Sequence, residues 1–96
     1  MDARELSALP GAELVLAGLR DIEQGQESIE ALLVLVGAPR LRTLGVAVPV
    51  SDHALSPEHR LYDRLRAEDA PTAHGRYNAL VRRLVSFERA LACASA

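Results

Sequence analysis

Apolar residues recur along this chain at helical rather than strand spacing. The clearest run lies in the C-terminal quarter, where Ala73, Tyr77, Leu80, Leu84, Phe87 and Leu91 are separated by alternating steps of four and three residues. Side chains at that spacing share one face of an α-helix, and Val81 and Val85 widen the stripe. The opposite face carries Arg76, Asn78, Arg82, Arg83, Ser86 and Arg89. A core-facing amphipathic helix is the expectation, because two or three heptads do not define a coiled coil.

The same reading divides the rest of the chain. Asp2 and Glu5 stand at capping-box spacing ahead of Leu6 and Leu9, so a short helix is expected before Pro10-Gly11. Ala12 to Gln24 forms a second helix that Gly25 stops, with Val15, Leu19 and Ile22 on one face and Leu16 and Ala12 beside them. Gly18 interrupts this helix at a cost in propensity, which marks a place where another helix comes close. Ser28 is positioned to cap a third helix over Ile29–Gly37, whose residues are apolar on nearly every side. A helix of that kind lies at the centre of a bundle or at an interface. Pro39 opens a short helical turn that Gly45 closes.

Val46-Ala47-Val48-Pro49-Val50 alternates but contains a proline, so it reads as an extended connector or a lone edge strand, continued by Ser51-Asp52-His53. Ser56-Pro57-Glu58 then supplies a cap, a proline at the first helical position and an acid in the first turn, which predicts a helix to about Asp69. Leu61, Tyr62 and Leu65 face inward on it. Asp69 or Thr72 caps the last helix beside Pro71. The predicted fold is therefore all-α: one domain over residues 1–96, a small bundle of about four main helices with a short helical turn and an extended linker around residues 45–55. Its core is expected to draw on Leu16, Leu19, Ile22, Leu32, Leu33, Val36, Leu61, Leu65, Leu80, Leu84 and Phe87.

Composition narrows the function. With 96 residues, 49% of them hydrophobic and 25% charged, the chain is too short for a multidomain enzyme and too apolar for a disordered segment. Every one of the 11 basic residues is arginine. Seven acids face two arginines before residue 39, and nine arginines face six acids from there on. The two halves are expected to meet, within one fold or between subunits. The overall charge of −2 argues against a dedicated nucleic-acid domain. Three aromatics, Tyr62, Tyr77 and Phe87, offer little stacking surface. The longest apolar run, Ala31–Ala38, is too short to span a bilayer, and no basic start followed by an apolar stretch marks a secretory leader, so a cytoplasmic protein without a membrane partner is expected.

The candidate chemistry is sparse. His53, His59 and His74 show no pair at the helical spacing that sets two ligands on one metal, and Cys93 is the only thiol, so no metal, cofactor or catalytic residue is assigned. No serine sits in a Gly-x-Ser-x-Gly context. Glu88 falls inside the apolar stripe of the last helix and is expected to be a buried structural acid, paired, hydrogen-bonded or placed at the rim. Leu14, Val34 and Leu35 fall off the core-facing sides of their helices and are assigned to an interaction surface, together with Arg60, Arg64, Arg82, Arg83 and Arg89. The first expectation is a non-enzymatic helical module that binds a protein partner, most simply a second copy of itself in a homodimer. The alternative is a nucleic-acid-associated protein gripping phosphates through the arginine face. A third is a ligand-binding protein or enzyme with a pocket near Tyr62, His74, Tyr77 and Glu88.

Overall fold

The computed structural model describes residues 3–50 and 56–94. It is all-α, with no strand among those residues. In chain order the helices are α1 (Ala3–Ser7), α2 (Ala12–Glu23), α3 (Ile29–Val36), α4 (Ala38–Thr43), α5 (Pro57–Asp69) and α6 (Ala73–Ala94), with one 3-10 turn (Ala70–Thr72) between the last two. The four main helices and the short turn after Gly37 stand where the apolar periodicity sets them. Residues 46–50 form no strand. Asp2 and Ser51-Asp52-His53, expected to cap α1 and to continue the linker, lie outside the described residues.

The helix ends have identifiable chemistry. Ser28 Oγ accepts from the Ala31 amide at 3.0 Å and donates to Asp21 Oδ2 at 2.6 Å, so one hydroxyl caps α3 and ties it to α2. Ser56 Oγ accepts from the His59 amide at 3.3 Å, and Pro57 occupies the first turn of α5. Gly25 follows α2 with φ of 73°, a left-handed conformation that glycine adopts at little cost. Thr72 Oγ1 donates to Asp69 Oδ2 at 3.0 Å within the turn before α6.

α3 is the central element. It packs against α2, α4, α5 and α6, which is why its apolar residues run all the way round. Leu32, Leu33 and Val34 on it are buried, with Leu41 from α4, Leu61 and Leu65 from α5, and Phe87 and Leu91 from α6. Leu84 joins them, and Leu16, Leu19, Ile22, Val36 and Leu80 are half-buried against this core.

Val34 is the correction here. It was assigned to an interaction surface, yet it is fully buried. The reason is Gly18. A β-carbon built there would fall on the Glu30 carbonyl oxygen and 2.5 Å from Val34 Cγ2, so only glycine lets α2 come close enough to cover that side of α3. Leu14 and Leu35 are half-buried against the core rather than free.

The connector after α4 is fastened rather than loose. Val46 and Val48 turn inward and are buried. Arg42 donates from Nε and Nη2 to the Val48 carbonyl at 3.2 and 3.0 Å, and from Nη2 to the Pro49 carbonyl at 3.2 Å. Beyond that clamp Val50 is 88% exposed.

Candidate functional site

The arginines assigned to a binding face are largely engaged within the chain. Arg60, its side chain only 11% exposed, pairs with the Glu27 carboxylate, and Arg64 Nη1 donates to the Glu27 carbonyl at 2.5 Å. Together they fasten the α2–α3 loop to α5. Arg83 pairs with Glu13 across α6 and α2. Arg82 Nε donates to the Asn78 carbonyl of its own helix at 3.4 Å. Arg89 is exposed on the same helix. The acidic first half and the arginine-bearing second half thus meet inside one fold, through Glu27–Arg60 and Glu13–Arg83.

Three of the four residues of the possible pocket, Tyr62, His74 and Tyr77, are brought together, and Glu88 is not. Tyr62 packs edge-on to Tyr77 with ring centroids 5.7 Å apart, and to His74 at 6.4 Å. His74 Nε2 lies 3.2 Å from Asn78 Nδ2. Burial, and after it the Glu58 charge, push the Tyr77 hydroxyl above its ordinary pKa. Glu88 lies 11 residues further along α6, about 16 Å away at the helical rise. It is 6% exposed and rests against Gly37, where its Oε2 would be 3.2 Å from a β-carbon. The lack of a side chain at Gly37 makes room for the carboxyl. Burial raises its pKa, and the Arg40 charge lowers it in part. No fully enclosed side-chain oxygen or nitrogen among the described residues lacks a hydrogen bond, and Glu88 makes none, so its carboxyl reaches the rim. Of the three placements expected for this acid, it takes the rim.

No three metal-ligating side chains gather among the described residues, although His59 and Asp63 lie 3.3 Å apart on α5. No described helix is long and apolar enough to cross a membrane.

One surface feature combines apolar floor and charged walls. A groove runs between the start of α3 and the middle of α6, lined by Ile29, Glu30, Arg76, Ala79, Leu80 and Arg83. Ile29 and Leu80 are half-buried against the core, and Ala79 is exposed. Arg76 Nη1 reaches Glu68 Oε1 at 3.0 Å, while Glu30 makes no hydrogen bond or ion pair among the described residues. Apart from Arg83, the groove was not singled out from the sequence as an interaction surface. Ile29 and Leu80 read as ordinary core positions, and the two walls come from segments more than forty residues apart, so no local pattern marks it.

No protein-family model, characterised protein or solved structure matches this chain. The described residues form a small all-α bundle.

Proposed function

We propose that this protein is a small helical interaction module that associates with a second copy of itself. The observation that carries the reading is the α3–α6 groove, where half-buried Ile29 and Leu80 lie between Glu30 on one side and Arg76 and Arg83 on the other, with exposed Ala79 on the outer flank of α6. Depressions of that kind, apolar in the middle and charged at the rim, resemble the core-and-rim layout of protein interfaces. The all-round apolar α3 does not carry the reading, because neighbouring helices cover it. The arginine face gives less support to phosphate binding, since Arg60 and Arg64 are taken up in fastening the α2–α3 loop and the net charge is −2.

Light scattering across micromolar concentrations tests the proposal. Wild-type protein should weigh twice its 10.4 kDa. Ala79→Arg, at an exposed position lining the groove, should return it to the monomer with helicity retained. A wild-type chain that stays monomeric throughout that range is the result that overturns the reading.

A further inference from the structure

We propose that two copies pair about a two-fold axis running along the α3–α6 groove, setting Glu30 of each copy against the Arg76 and Arg83 edge of the other. The inference rests on the self-association proposed above and adds its geometry.

The α3 wall carries Glu30, half-buried and without a partner among the described residues. The α6 wall carries Arg76 and Arg83, each already holding one acid, Glu68 and Glu13 respectively. A guanidinium has five donors in a fixed fork, so one carboxylate does not exhaust it. Both arginines therefore remain able to receive a second carboxylate, and Glu30 remains able to give one.

The second step concerns symmetry. Two identical patches pressed face to face have two simple two-fold arrangements. An axis lying across the groove places α3 over α3 and α6 over α6, so like charges oppose. An axis lying along the groove places α3 of each copy over α6 of the other, so unlike charges oppose. Electrostatic complementarity selects the second arrangement, and Ile29 and Leu80 of the two copies then close over each other between the charged edges. A second copy suits the groove because one patch carries both signs, as a self-complementary contact requires. A partner of a single sign would leave one wall facing its own charge.

A charge swap tests the geometry. Glu30→Arg makes both walls positive, and Arg76→Glu with Arg83→Glu makes both negative. Each variant alone should self-associate at least about tenfold more weakly than wild type, because like charges now oppose twice per dimer. Mixed in equal amounts the two should pair with each other, restoring the dimer mass in light scattering, with circular dichroism confirming that each is helical. If both variants are helical and dimerise as wild type does, this geometry is wrong while self-association stands on another surface. If wild type is itself monomeric, the functional reading fails and the geometry with it. Should a variant lose its helicity, salt titration of wild type decides: pairing that weakens as salt rises supports the contact, and pairing indifferent to salt overturns it.

Discussion

Glu88 is a carboxylate at a position that is only 6% exposed. It sits inside the α6 stripe beside Leu84, against the glycine at the α3–α4 joint, and no hydrogen bond compensates its burial. Burial raises its pKa in the folded chain, and Arg40 offsets only part of that. The sign of the consequence follows. Above the raised value the group is ionised in both states, and the folded state bears the cost of a poorly solvated charge. As pH falls through the folded value, the folded chain takes up the proton first and stability rises, until the unfolded chain protonates as well. Glu88→Gln should therefore raise stability at neutral pH by about 1 kcal/mol, the lower end of what a buried group without a hydrogen bond costs. That gain should shrink as pH is lowered toward about 4. Thermal melts of both proteins across that range check it, and a difference that does not change with pH would show that the charge is not the cause. The sequence placed this acid among apolar neighbours correctly. It could not name Gly37 as the neighbour, because that contact joins positions 51 residues apart.

Elements were legible where their punctuation is local. Ser28, Gly25, Ser56 and Pro57 mark helix ends through chemistry that acts within one turn, and the helices begin and end within a residue or so of those marks. What could not be read was how far one helix shields another. Val34 was assigned outward because α3 has apolar residues on every side, and only the approach of α2 decides which of them is covered. Gly18 makes that approach possible, and its unfavourable helix propensity was the one visible trace of it. The α2–α3 pair also gives the sharpest test at this scale. Gly18→Ala gains about 1 kcal/mol of helix propensity in isolation. In the folded protein the added methyl meets the Glu30 carbonyl, which is backbone and cannot swing aside. Overpacking of this kind costs about 1–3 kcal/mol, so the net expectation is a loss of up to about 2 kcal/mol. For a domain of this size that lowers the melting temperature by up to about 15 °C. A melting temperature equal to or above wild type would mean the two helices are not held this closely.

At the scale of the whole molecule, the uneven charge of the two halves raises the question of what holds them together. The structure joins them through Glu27–Arg60 and Glu13–Arg83, but three of these four side chains are 45–63% exposed, Arg60 alone being enclosed at 11%. Exposed pairs contribute about 0–1 kcal/mol each and are screened by salt. The apolar contact between the halves is of another order. Leu32, Leu33 and Val34 from the acidic half are buried with Leu61, Leu65 and Phe87 from the other, and each buried side chain of that size contributes about 1.5–3 kcal/mol. Packing therefore outweighs charge several-fold in joining the halves, whereas the proposed contact between copies depends on charge for its geometry. The two can be separated on one variant. Ala79→Arg, monomeric on the reading above, should lose no more than about 15 °C in melting temperature when salt is raised to about 0.5 M, the most that two surface pairs of about 1 kcal/mol each can supply. A loss well beyond that, about 25 °C or more, would show that opposite charge, rather than the apolar core around α3, holds the two halves together.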